Sequence, residues 1–166
     1  MPFAVTHILT SLFSTDFYRK KILKRKDFPL WLVLMGGIAG LLPDADYLVY
    51  WILKPFLDIQ PSDVHGFYTH TFFIPLAILL IALILIKYKT TFHTLIIIAM
   101  GYTTHLILDG IFEQAKPLLY PLSSATLGLG LIPGAQMVSV FISLDAVLLV
   151  LWLIYEWRTK KIRDFT

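Results

Sequence analysis

Gly101-Tyr-Thr-Thr-His-Leu-Ile-Leu-Asp-Gly110 closes an apolar run that begins at Phe92, and whether that stretch is helix or strand decides the fold. The run is too long and too hydrophobic for an ordinary strand. On a helix, His105 and Asp109 are four residues apart and point the same way. Glu113, four further on, extends the stripe. An imidazole and a carboxylate at this spacing can hold one metal ion together, or one can orient the other. In lipid or a tight core such groups are costly and usually functional. The alternative for this stretch alone is a satisfied core histidine beside a helix-end aspartate.

The surrounding composition points to a membrane. Of 166 residues, 57% are hydrophobic and only 15% charged, where soluble domains run nearer a quarter charged. Mean hydropathy is +0.74. Cysteine is absent, so any metal must be held by His, carboxylate, backbone oxygen or water, a donor set that suits Zn, Mn, Fe or Mg. Six of the fourteen basic residues fall between Arg19 and Lys26, and four between Arg158 and Arg163. Flanking apolar spans, they read as cytoplasmic anchors rather than a nucleic-acid patch, and no direct nucleic-acid contact is expected. Nothing basic precedes the first apolar stretch and no small-residue cleavage site follows it, so no cleavable leader is expected.

These features predict an all-α polytopic membrane bundle, one domain over 1–166. Helices are expected over about 2–18, 28–53, 67–87, 92–113 and 134–157. Four of them would span the membrane, and the N-terminal one, over Pro2–Phe17, would either cross as a fifth or lie on the surface. Gly36 and Gly40 offer a flat face for close helix packing. Pro43-Asp44-Ala45-Asp46 interrupts hydrophobic sequence; the proline should break the helix and free backbone groups that only a buried or water-lined site can satisfy. His65-Gly-Phe-Tyr-Thr-His70 stands at the entrance of the next apolar run, and Asp145 near the middle of the last.

With both basic clusters and the Lys87–Lys89 turn placed in the cytoplasm, the helices alternate in direction. At ~1.5 Å per residue, His7 lies ~18 Å from Arg19, Asp44 ~22 Å from Pro29, and His70 ~25 Å from Lys87. His105 and Asp109 lie ~20 and ~25 Å from Phe92. All reach the outer half of the membrane at one level. Seven candidate ligands, His7, Asp44, Asp46, His65, His70, His105 and Asp109, are more than one ion needs, so two or three divalent ions are expected. Such a site suits hydrolysis, with bound water ionised near neutral pH and a phosphoryl oxygen polarised. Asp44, His105 and Asp109 are the expected catalytic residues, with Asp145 and Glu113 accessory, orienting imidazoles or assisting proton transfer.

Thr6-His7, Leu42-Pro-Asp-x-Asp46, His65-x4-His70-Thr71 and Gly101-x3-His105-x3-Asp109 occur in order. Together they resemble the membrane-bound metal-dependent hydrolase family, also described as LexA-binding inner-membrane hydrolases. Pro121-Leu-Ser123 is similar to that family's Pro-Phe-Ser loop, and Ser143-Leu-Asp145 to its final helix. The family is distantly similar to zinc-dependent phospholipases C and single-strand nucleases. The resemblance therefore implies zinc, or manganese as the alternative, a phosphoester or phospholipid substrate, and an N-terminal ligand, here His7. One departure is plain. The family's His-Arg-Gly-x-Thr-His lacks its arginine here, where Gly66 directly follows His65; an arginine there could bind a substrate phosphate. The expectation is a multi-pass inner-membrane hydrolase, with residues 19–26 and the C-terminus cytoplasmic and membrane lipids as partners. Two other readings are a metal-ion transporter and a non-catalytic scaffold recruiting a soluble partner through its basic segments.

Overall fold

The computed structural model describes residues 4–23, 30–65, 68–112, 116–132 and 134–158. Helix α1 (Ala4–Phe17) runs on into a π-helical turn, Tyr18–Leu23. Helix α2 (Leu30–Ala39) ends before a 3-10 turn at Pro43–Ala45, and α3 (Asp46–Leu53) follows at once. A single turn, α4 (Pro61–Val64), leads to α5 (Phe73–Ile84), α6 (Lys89–Phe112) and α7 (Gly134–Arg158). Among the described residues there is no strand; one isolated bridge joins Lys116 and Leu127.

The helices are there, but the expected four spans and candidate fifth are not. Among the described residues only α6, at 24 residues, is long and apolar enough to cross a membrane. Counting the interrupted pair Trp31–Ala39 and Pro43–Leu53 as one span would make two, and that pair is bent by 60°. The apolar helices Phe73–Ile84 and Val140–Tyr155 are shorter. In the second and third runs hydrocarbon length overstated helix length, because part of each is spent elsewhere. Pro43 breaks the second run, as its missing N–H requires. Helix α5 starts at Phe73 rather than near Phe67, since Tyr68–Thr71 is non-helical chain.

Helix α6 is the centre of the bundle. Helix α5 returns along it after a tight turn over residues 85–88, while α1 and α2 cover its other side. Gly36 faces Thr15, and Gly40 faces Ser11 and His7, so α1 and α2 run in opposite directions. The anticipated flat face is real. A Cβ on Gly40 would lie 2.4 Å from Ser11 Oγ and 2.9 Å from the His7 carbonyl, and one on Gly101 would lie 2.5 Å from the Gly36 carbonyl. Backbones this close leave no room for a side chain. Leu9, Leu12, Leu32, Val33 and Ile97 form the apolar core between α1, α2 and α6, with Leu148 and Trp152 of α7 packed against it. Tyr102, Leu106 and Leu118 form a smaller core with Phe72 and Ile74.

Polarity is inverted relative to a soluble bundle. His7, His70, His105 and Asp109 are wholly buried, whereas Leu48, Trp51, Ile84 and Leu151 are more than half exposed. Ionisable groups facing the bundle interior and apolar groups facing out are what a lipid surround selects. Arg19 is a further surprise. Expected as a cytoplasmic anchor, it is buried and pairs with Asp16 at 2.8 Å. Lys24, Arg25 and Lys26, and the basic residues beyond Arg158, lie outside the described residues.

Candidate metal centre

Two breaks in regular structure and two helices bring the site together. On α6, one helical turn places His105 and Asp109 on the same inner face, with His105 Nε2 3.3 Å from Asp109 Oδ2. On α1, His7 stacks on the His105 ring at 3.8 Å between centroids and 19° between planes, its Nε2 3.6 Å from Asp109 Oδ1. The interruption after α2 delivers Asp44 from a 3-10 turn. The non-helical chain before α5 delivers His65 and His70.

Four atoms form the centre: His70 Nε2, His105 Nε2, Asp109 Oδ2 and Asp44 Oδ1. Asp109 lies 3.2 Å from His70 and 3.3 Å from His105, and the two imidazole nitrogens lie 3.4 Å apart. Asp44 is 3.5 Å from His70 and 3.6 Å from His105. A zinc ion with ligands at ~2.0–2.1 Å in a tetrahedron would separate those ligands by about 3.3 Å. These five separations are compatible with such a shell.

The donor inventory agrees. Asp44 Oδ1, His65 Nε2, both His7 nitrogens and both Asp109 oxygens are buried without a properly directed hydrogen bond. Buried polar atoms in such numbers need explaining. A dication would balance the charges of Asp44 and Asp109 and satisfy the facing lone pairs. An ion-paired cluster without metal would need cationic imidazoles, and the His7–His105 stack holds two of them face to face. Grouped by proximity, His7, His105 and Asp109 form one potential cation site and Asp44, His65 and His70 a second.

Supporting contacts point the same nitrogens inward. His105 Nδ1 lies 2.7 Å from the Gly40 carbonyl, so Nδ1–H donates there and Nε2 is left bare. Burial works against a charge on His70, yet the facing carboxylates of Asp109 and Asp44 outweigh it and raise its pKa, while the charge of Lys116 pulls it back.

A family model described as YdjM inner membrane protein matches residues 1–163. The chain belongs to the YdjM inner membrane protein family. No curated protein and no solved structure matches it. Membership carries the membrane assignment of the whole chain; hydrolysis and LexA binding, which the sequence resemblance implied, go beyond that family's description.

Of the seven expected ligands in this inner membrane protein, six converge. Asp46 stands behind them, its Oδ1 2.9 Å from His65 Nδ1 and its Oδ2 2.7 Å from Thr69 Oγ1. Asp145 is bonded by the Thr6 hydroxyl, next to His7 rather than to an imidazole. Glu113 lies outside the described residues. Sequence reasoning missed Thr69, the Gly40 carbonyl and Lys116. Only Thr69 left a trace, as the residue beside His70 in Thr-His-Thr.

Proposed function

We propose that the protein is a membrane-embedded metal-dependent hydrolase acting on a phosphoester, with a phospholipid-like molecule as substrate. The single observation that carries this is the convergence of six donor side chains in two adjacent groups, His7, His105 and Asp109 wholly buried and Asp44, His65 and His70 beside them. Imidazole and carboxylate suit zinc, with manganese as the alternative. His7, His105 and Asp109 would hold one ion and Asp44, His65 and His70 another. A divalent cation there supplies Lewis acidity and brings the pKa of a coordinated water toward neutrality.

The chain's own residues do the rest. Buried Asp109 and His105 from α6 and His70 from the chain before α5 exclude water and hold the site from two sides. The Asp44 side chain, 22% exposed against none for His70 and His105, is the ligand on the approach side. It is the group positioned to take a proton from the attacking water as the new P–O bond forms and to return one to the leaving oxygen as the phosphoester bond breaks. Exposed Leu42, Leu48 and Trp51 flank it in sequence, which favours a substrate with an apolar part.

The test is elemental analysis of detergent-purified protein, wild type beside His105→Ala, followed by a phospholipid hydrolysis assay. Expected are two or three equivalents of zinc or manganese, lost in part or whole in the variant together with hydrolysis. Full activity in His105→Ala sinks the assignment. One observation favours transport instead, the 60° break at Pro43, because discontinuous helices bind ions in transporters. Metal flux into proteoliposomes, without hydrolysis, would install that reading. A wild-type protein free of metal would leave the scaffold role.

A further inference from the structure

A neutral imidazole carries its proton on one nitrogen, and only the other can ligate a cation. Which nitrogen is bare depends on what its partner meets. For His65 and His70 the answer is joint. The Asp46 carboxylate can only accept, so the Thr69 hydroxyl proton points to Asp46 Oδ2 at 2.7 Å. Thr69 Oγ1 then presents only lone pairs to His70 Nδ1, 3.0 Å away, and that nitrogen must hold the proton. Asp46 Oδ1 takes the Nδ1–H of His65 at 2.9 Å. Both rings are left with bare Nε2 atoms, and these are the atoms turned toward Asp44 Oδ1. Asp46 is 5% exposed, so water competes little for these bonds. The Tyr102 hydroxyl donates to the Thr69 carbonyl, which anchors the arrangement to α6.

We propose that Asp46 and Thr69 form one hydrogen-bonded relay that sets the tautomers of His65 and His70 together, which makes them positioning residues. The inference rests on the metal-centre reading and assigns Asp46 a place behind the ligands instead of among them. Loss of the relay frees His70 to adopt the tautomer with its proton on Nε2, aimed at Asp109, where it blocks coordination. Substitutions separate the parts. Thr69→Val keeps the shape and removes both bonds. Thr69→Ser keeps both. Asp46→Asn still accepts from His65, but its amide N–H donates to Thr69 Oγ1. The hydroxyl proton then turns to His70 Nδ1, and His70 alone is switched.

The experiment uses full-length protein in detergent, titrated with Co(II) and read by visible absorption, with zinc affinity from chelator competition. Thr69→Val and Asp46→Asn should each bind about 10- to 100-fold more weakly, the usual effect of losing a partner behind a ligand, with an altered cobalt spectrum. Thr69→Ser should restore both affinity and spectrum. Wild-type affinity and spectrum in Thr69→Val and Asp46→Asn would overturn the relay, as would a Thr69→Ser as impaired as Thr69→Val. If Thr69→Val fails to fold, the near-isosteric Asp46→Asn decides alone. Wild-type protein that takes up neither metal would overturn the metal-centre reading itself, a result distinct from variants that match a loaded wild type.

Discussion

The two ends of α1 bury charge in opposite ways. At the Asp16 end, every acceptor has a donor. Asp16 Oδ1 takes Arg19 Nε and Nη2 at 3.0 and 2.8 Å, and Oδ2 takes the Tyr155 hydroxyl at 3.2 Å and Lys20 Nζ at 2.5 Å. At the His7 end, imidazole nitrogens and carboxylate oxygens face one another across 3.2 to 3.6 Å. A buried ion pair is tolerable when its hydrogen bonds are complete. The first end is therefore a finished structural clamp joining α1 to α7. The second would be finished by a cation, as the proposed metal site requires.

Three substitutions or conditions would break or sharpen that contrast. The largest effect should come from Asp16→Ala. It leaves Arg19 buried without its partner, a loss of ~3–5 kcal/mol for one member of a buried pair. Thermal or denaturant unfolding should show it, while metal content per folded molecule stays at the wild-type value. A drop in metal content would mean the two ends are coupled.

Gly40→Ala should come next. Its methyl would meet Ser11 Oγ and the His7 carbonyl, and overpacking of this kind costs ~1–3 kcal/mol. Unlike Asp16→Ala, it should also weaken metal binding, because it pushes α1 off α2 where His7 and the carbonyl that holds His105 lie. Stability loss with unchanged zinc affinity would sink that link.

The smallest effect is a pH dependence of opposite sign with and without metal. His70 has a raised pKa in the folded, metal-free protein. The stability this contributes is fully present below the ordinary histidine value of about 6.5 and is lost as pH rises through the raised folded value. Burial holds the neighbouring His7 down at about 4, which acts the other way, so the His70 contribution is read against His70→Gln: in metal-free protein the advantage of the wild type should be larger at pH 6 than at pH 8. Loaded protein should do the reverse, because a proton and a cation compete for the same nitrogens. Melting curves with and without chelator at the two pH values measure both signs. Equal slopes would argue against a cation at His70.

The candidate site was more legible in the sequence than the fold's dimensions were. His105 and Asp109 could be paired from spacing alone because a helix turns by a fixed angle per residue. His7 lies on a regular helix, as the fixed rise per residue assumed, whereas Asp44 and His70 stand outside helices, where that rise does not apply. Helix lengths were misjudged since hydropathy reports what a residue dissolves in, not its backbone conformation. Tyr68–Thr71 reads as the start of a helix and is instead the irregular chain that carries His70. Asp46 illustrates a second limit. In Asp44-Ala-Asp46 the two carboxylates look alike, and only the turn at Pro43–Ala45 sends one toward His70 and His105 and the other behind His65.

What the sequence determined by itself is thus the helical class, the membrane-adapted composition and the set of residues that meet. Periodicity and composition are local properties, and they survive being read one residue at a time. Tertiary structure decided which nitrogen of His65, His70 and His105 is turned toward the centre, which carboxylate reaches it, and that Arg19 turns inward to Asp16. Those outcomes depend on distances between atoms from different helices, set to a few tenths of an ångström by glycine-mediated contact of α1, α2 and α6. No pattern along one chain encodes a distance of that kind.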